Sequence, residues 1–143
     1  MHRLTGTALV VSAALLLIAA APVAAGTRTA VTMTVTTIFD PAPDAFLATG
    51  IPECGTGLVS DGGAHVQFTP SPGVFAGFKV FDCGGGTGFV LRLNARFGPN
   101  GSVGTWSVVD SWGEAAGMSG AGKLAGTPIG GGVLDSYLGT VTF

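Results

Sequence analysis

The stretch TGFVLRLNARF, residues 87–97, decides the fold class of this chain. Its apolar side chains fall at every second position, and mostly polar ones stand between them. The apolar set is Phe89, Leu91, Leu93, Ala95 and Phe97, and the alternating set is Val90, Arg92, Asn94 and Arg96. A period of two is typical of a β-strand with one buried face. The turn signal Pro99-Asn100-Gly101 then predicts a hairpin into a further strand over residues 103–109.

The rest of residues 26–143 follows the same plan. Short β-branched or aromatic runs are separated by Gly, Pro, Asn and Asp, and no run keeps a helical period over eleven residues. We expect six more strands, at residues 28–39, 56–60, 64–69, 74–81, 118–125 and 134–143. Residues 41–54 are expected to form a loop, and Asp61-Gly62-Gly63 a tight hairpin turn.

Eight strands joined by short turns predict an all-β domain with an antiparallel up-and-down meander. Such a meander can close into a single eight-stranded barrel, which removes the exposed sheet edges. Glycines within the predicted strands, at Gly77, Gly104 and Gly139, favour the barrel because strongly coiled strands need close backbone packing. A two-sheet β-sandwich is the alternative.

The first 25 residues predict a signal peptide. Arg3 gives a positive start, residues 8–21 are almost entirely apolar, and Val23-Ala24-Ala25 offers small residues for cleavage. The apolar run is shorter than a membrane-spanning helix requires. We therefore expect residues 26–143 to form one secreted or extracytoplasmic β-barrel domain, with no membrane span once the signal is removed.

The charges and cysteines of this domain limit its partners. The domain has five basic and eight acidic residues, and this negative net charge disfavours binding to nucleic acid or to an anionic membrane surface. Cys54 and Cys83 are the only cysteines, and in an exported chain one pair most simply forms a disulfide. With neither the C-x-x-C spacing nor a nearby histidine, they do not suggest a metal or redox site, so we expect no metal.

The C-terminal half resembles a known family. Residues 104–106 (GTW), 111–122 (SWGEAAGMSGAG) and 135–139 (DSYLG) are similar to the allene oxide cyclase and dirigent barrel superfamily, especially to its small secreted bacterial members of unassigned role. The glycines of the family segment G-T-G-x-Y-x-G-L-x-G-x-G are matched by Gly113, Gly117, Gly120 and Gly122, and its closing strand by Tyr137 and Gly139. Trp112, Ala115 and Met118 replace the threonine, tyrosine and leucine of that segment.

This resemblance implies an eight-stranded barrel without metal or organic cofactor, which is often trimeric in the plant relatives. The catalytic residues of the plant enzymes match no position in this chain. The resemblance therefore predicts a fold and allows two roles, a steering protein of the dirigent kind or a cofactor-independent isomerase or cyclase. The oligomeric state stays open.

Few residues in the sequence have the pattern of a catalytic centre. His65 stands in a predicted strand without a G-x-S-x-G nucleophile elbow, so it does not indicate a hydrolase. Arg92 and Arg96 share a polar strand face and are expected to face solvent. If that face instead turned toward a barrel mouth, either arginine could hold a carboxylate or enolate oxygen. Candidate acid–base partners are Asp110, Glu114 and Asp135.

The apolar strand faces favour a binding module for a small apolar ligand over an enzyme. Eight-stranded barrels are either filled by side chains or hold one small ligand. The residues that we expect to contact such a ligand are Trp106, Trp112, Arg92, Arg96 and Phe78. A cofactor-independent isomerase or cyclase and a structural or surface-association protein with a filled barrel are the alternatives. An apolar cavity would favour binding, a buried charged group of displaced pKa inside it would favour an enzyme, and a solid interior would favour a structural role.

Overall fold

A computed structural model describes residues 26–38, 43–69 and 71–143 of the chain. The predicted signal peptide, residues 1–25, lies outside the described residues. Eight strands and one short 3-10 helix make up the secondary structure of the described part. The strands are β1 (Thr29–Ile38), β2 (Asp44–Thr49), β3 (Thr56–Gln67), β4 (Gly73–Gly84), β5 (Thr87–Gly98), β6 (Gly101–Trp112), β7 (Ser119–Ile129) and β8 (Gly132–Thr142), and the helix covers Gly113–Ala115.

The strands form one closed antiparallel barrel in chain order. Each strand pairs with the next, and β8 pairs with β1 in a ladder that runs from Thr29 opposite Val141 to Ile38 opposite Gly132. The closed order confirms the up-and-down barrel and excludes the sandwich. Each strand of the described part has two neighbours, but β3 pairs with β2 only over residues 56–59 and β6 pairs with β7 only over residues 102–107.

One predicted loop contains a strand. Residues 41–54 include β2, which pairs with β1 on one side and with β3 on the other. The strand has only six residues and begins with Asp44, and its buried row consists of Phe46 and Ala48 alone, so the period-two pattern is too short to recognise in the sequence. The prediction of a loop was therefore wrong, because pairing on both sides holds in place a segment with little strand signal of its own.

One predicted hairpin is a single bulged strand. β3 continues through Asp61-Gly62-Gly63, and its register against β4 shifts between Asp61, which faces Lys79, and Ala64, which faces Gly77. Gly62 and Gly63 thus lie opposite the single residue Phe78 of β4, and two residues opposite one define a β-bulge. Gly63 has a φ of 101°, a conformation that glycine adopts without strain. The predicted turn at this place was wrong.

The two ends of the barrel differ in how they are filled. We call the end that holds the β4–β5 turn and the Gly113–Ala115 helix the closed end, and the end that holds the β5–β6 turn the open end. Phe46, Phe81 and Phe89 pack against one another at the closed end, with Phe81 and Phe89 stacked at 4.7 Å between ring centroids. Buried Ala115 and Met118 add to this side.

A disulfide between Cys54 and Cys83 joins the β2–β3 connection to the end of β4, as the sequence predicted. Their Cα atoms lie 5.0 Å apart. Cys54 is fully buried against the aromatic core. The bridge therefore fastens the closed end of the barrel. In the described part of the chain, no helix is long and apolar enough to cross a membrane.

Candidate functional site

A cavity of about 510 Å³ occupies the open end of the barrel. Its apolar wall comes from β3, β4, β5, β7 and β8. The larger side chains of this wall are Val66, Phe68, Phe75, Leu93, Phe97, Leu124 and Val133. Phe68 and Phe97 meet edge to face at the rim, with ring centroids 5.6 Å apart. The size and lining are those of a site for a small organic molecule.

Small residues at several positions of the open end leave room for the cavity. Ala95 and Ser102 point into it from β5 and β6, and Gly98, Gly101 and Gly132 also line it. The same inward rows at the closed end carry phenylalanine rings, which fill the space. The alternation that defines each strand is thus the same at both ends, and the smaller side chains at these positions contribute to the hollow at one of them.

Polar residues occupy inward positions along five consecutive strands, β8, β1, β2, β3 and β4. Each continues a buried row: Thr37 follows Val35, Asp44 precedes Phe46, and Asp135 precedes Tyr137 at a spacing of two. We call this set the polar arc; it consists of Thr37, Asp44, Asp61, Lys79, Asp135 and Tyr137. Thr37, Lys79, Asp135 and Tyr137 line the cavity itself. The cavity is therefore amphipathic, with the polar arc on one side and the apolar wall on the other.

Two carboxylates of the polar arc already have partners in the protein. The Lys79 Nζ atom lies 2.8 Å from Asp61 Oδ1, directly across the β3–β4 ladder. The lysine side chain is 12% exposed and the aspartate 71%, so the pair spans from the interior to solvent. The Oδ1 atom of Asp44 accepts a hydrogen bond from the Ile38 backbone N–H at 3.0 Å.

Asp135 and Tyr137 carry the displaced pKa values of the site. Burial raises the pKa of the Asp135 carboxyl, and the Asp44 carboxylate raises it further, although the Lys79 ammonium acts in the opposite direction. Burial raises the pKa of the Tyr137 phenol far above its ordinary value, and the arc's aspartates, Asp135 first, add to this. Tyr137 is therefore a neutral hydrogen-bonding group at any ordinary pH.

Three groups of the polar arc are without a partner among the described residues. Tyr137 is 1% exposed, and no described atom hydrogen-bonds to its hydroxyl. The same holds for the Asp135 carboxylate within the described ranges. The Oγ1 atom of Thr37 is buried without a hydrogen bond. Of the three, only the Thr37 atom is fully buried without a partner. Buried polar groups normally find partners, so this atom points to a molecule that the cavity would hold.

The five residues expected to contact a ligand do not lie together. Trp106 is 2% exposed and belongs to the core, where its indole Nε1–H donates to the Lys123 carbonyl at 3.1 Å. Gly122 and Gly139 make room for this ring, since a Cβ at either would stand 2.6 or 2.5 Å from it. Trp112 is half-buried and covers Gly88 on the outer wall.

Phe78 and Arg92 face each other across the β4–β5 ladder on the outer wall. With His65 and Ala76 they line an open depression of about 350 Å³ beside the bulge of β3. Arg96 is exposed further along β5, opposite Val103. The structure therefore brings two of the five residues together, and it places none of the five in the cavity.

Of the candidate acid–base residues, Asp135 alone lines the cavity. Asp110 and Glu114 are exposed and belong to the closed end, where the Glu114 backbone N–H bonds to Thr87 Oγ1 at 3.2 Å. The sequence reading missed Lys79. Its signal was present, since Lys79 stands in the period-two row of Phe75, Gly77 and Phe81 and thus on the inward side of β4.

No three or more His, Cys, Asp or Glu side chains of the described residues form a group that could hold a metal ion. Comparison with protein-family models, with curated proteins and with solved structures finds no match for this chain. The likeness to the allene oxide cyclase and dirigent superfamily thus stays a prediction.

Proposed function

We propose that this protein binds a small, largely apolar ligand in the cavity at the open end of its barrel. The observation that carries the proposal is the cavity itself, about 510 Å³ in volume and lined by aromatic and aliphatic side chains. Pockets of this size and lining bury most of the surface of a small organic ligand. Burial of apolar ligand surface then supplies the binding free energy.

The uneven filling of the barrel supports this proposal over a purely structural role. A barrel that serves only as a scaffold gains stability from side chains that fill its whole interior, because voids forfeit packing contacts. Here the closed end is filled and stapled by the disulfide. The disulfide is also consistent with an extracytoplasmic location, where such bonds persist.

A second candidate function is a cofactor-independent isomerase or cyclase. The observation that favours it is the Asp135 carboxyl, which lines the cavity and has a raised pKa. Carboxyls of displaced pKa in clefts are candidate acids and bases. The predicted resemblance allows the same role. An enzyme would return a rearranged product, whereas a binding protein returns its ligand unchanged, so chromatography of the recovered ligand separates the two functions.

A titration with a neutral fluorescent probe, N-phenyl-1-naphthylamine, tests the binding proposal. Two adjacent residues of β6 give a matched pair of variants. Ser102→Phe places a ring in the cavity, whereas Val103→Phe places the same ring on the outer wall, since Val103 is 66% exposed. We expect saturable binding to the wild type, weakened by roughly tenfold or more in Ser102→Phe and little changed in Val103→Phe. Absence of saturable binding, or equal binding by both variants, would overturn the proposal.

A further inference from the structure

The charges of the polar arc decide which head group the cavity accepts. The polar arc holds three carboxylates, Asp44, Asp61 and Asp135, and a single ammonium, Lys79. Lys79 is already paired with Asp61 at 2.8 Å, and Asp135 is the carboxylate that lines the cavity. An anionic ligand would have to compete for this ammonium while facing the Asp135 carboxylate. A cation meets the opposite situation, because it reduces the excess negative charge.

The unpartnered groups of the polar arc can all accept hydrogen bonds, and the two hydroxyls can also donate them. The ionised Asp135 carboxylate accepts only, and the Thr37 and Tyr137 hydroxyls can each accept through a lone pair. A primary ammonium carries three N–H donors and no acceptor. The ionised Asp135 carboxylate, which can only accept, is therefore the group that distinguishes an ammonium from other head groups. A carboxylate ligand brings no donor, and an alcohol brings one.

Burial explains why Asp135 gains from a cationic partner. The pKa of this carboxyl is raised because burial outweighs the attraction of Lys79. A cation placed against the carboxylate opposes that effect by stabilising the ionised form. A charge-assisted hydrogen bond in a partly desolvated cavity is also stronger than a neutral one.

We propose that the ligand of this cavity is an amphipathic primary amine, whose ammonium group binds Asp135 and its diagonal neighbour Thr37 and whose apolar or aromatic body packs against Phe75, Leu93 and Phe97. This inference rests on the proposed function, since it assigns the head group of a ligand in the same cavity. The apolar wall contributes affinity for the body, and the polar arc selects the head. Amines are thus preferred over alcohols, and alcohols over carboxylates.

Three probes with one body and different head groups test the proposal: 2-naphthylmethylamine, 2-naphthylmethanol and 2-naphthoate, titrated at pH 7 and followed by naphthalene fluorescence. We expect the amine to bind roughly tenfold or more tightly than the alcohol, and the acid to bind most weakly. Asp135→Asn should remove most of the preference for the amine and leave the affinity for the alcohol within about twofold. Glu114→Gln removes one charge at the closed end and is the matched control, with no effect expected.

Thr37→Val provides a second variant, because it removes one acceptor while keeping a similar side-chain shape. It should weaken amine binding roughly threefold. If the alcohol binds as tightly as the amine, or the acid binds best, the amine assignment is wrong and the proposed function stands. If the amine is preferred but Asp135→Asn keeps the full preference, the role of Asp135 is wrong. If none of the three probes binds, both the amine assignment and the proposed function fail.

Discussion

Removal of the Cys54–Cys83 disulfide should lower the stability of this barrel by a predictable amount. The bridge links residues 29 apart in sequence, so it closes a loop of about 30 residues in the unfolded chain. In the chain-entropy model, such a loop corresponds to about 3.6 kcal/mol at 25 °C. The domain of residues 26–143 has an unfolding entropy of roughly 0.25 kcal/mol/K at the per-residue average. The double variant Cys54→Ala/Cys83→Ala should therefore melt about 15 °C below the oxidised wild type.

Thermal unfolding followed by circular dichroism measures this difference, with the dithiothreitol-reduced wild type as a second sample. The neutral probe provides an independent readout, because the disulfide lies at the closed end and the cavity at the open end. Below its melting temperature the double variant should bind the probe within about twofold of the wild type, as expected of sites that share no contacts. A decrease of less than about 4 °C, which corresponds to roughly 1 kcal/mol, would refute the loop-closure reasoning. Loss of probe binding by the folded variant would refute the independence of the two ends.

Two further predictions concern the core and the polar arc. Gly122→Ala should lower the free energy of unfolding by about 1–3 kcal/mol in urea denaturation, because the added Cβ would overlap the Leu138 backbone carbonyl oxygen and stand 2.6 Å from the Trp106 ring. Gly130→Ala, with no atom within 4 Å, is the control, and equal effects of the two variants would contradict this packing. Asp135→Asn should raise the free energy of unfolding at pH 7. Burial raises the pKa of this carboxyl in the folded state, so its stabilising contribution is present when it is protonated and is lost as the pH rises through that pKa. The stability advantage of the variant should therefore shrink as the pH falls from 7 toward 4. An advantage that grows on acidification would contradict the burial of this carboxyl.

The sequence predicted the number of strands correctly, but two of its errors compensated for each other. β2 was taken as a loop because a six-residue strand shows only Phe46 and Ala48 as its buried row. The pairing that stabilises it comes from β1 and β3, which are distant from its own local pattern. Periodicity within one segment cannot report such pairing.

The bulge in β3 caused the opposite error. Asp61-Gly62-Gly63 has the composition of a hairpin turn, and the same composition suits a β-bulge, since both need a residue with positive φ. A turn would reverse the chain after Asp61, whereas the bulge keeps it antiparallel to β4 on both sides. Only the partner strand distinguishes these outcomes.

Most residues of the candidate site were not predicted, because alternation of apolar and polar residues predicts that the polar side chains face solvent. Lys79, Thr37 and Asp44 are polar side chains at inward positions, so they interrupt the apolar rows that reveal strands. Arg92 and Phe78 were favoured as ligand contacts and lie on the outer wall. Asp135 was named as a candidate acid, and the structure places it in the cavity. The residues of a polar site within a barrel are polar side chains at inward positions, and they therefore contradict the apolar alternation from which the barrel is predicted.

The polar arc is costly to the empty barrel, and this cost itself argues for a ligand. An apolar residue in place of Asp135 would avoid the burial of a carboxyl whose pKa is raised, and Thr37 likewise keeps a buried hydroxyl without a partner. The wall next to them shows that the fold accepts apolar side chains at equivalent inward positions, such as Leu93 and Leu124. A ligand that binds only the folded state offsets the cost in proportion to its concentration. Sites that violate the packing rules of their own fold are expected where function requires it, and the buried Thr37 hydroxyl without a partner lies at the hollow end.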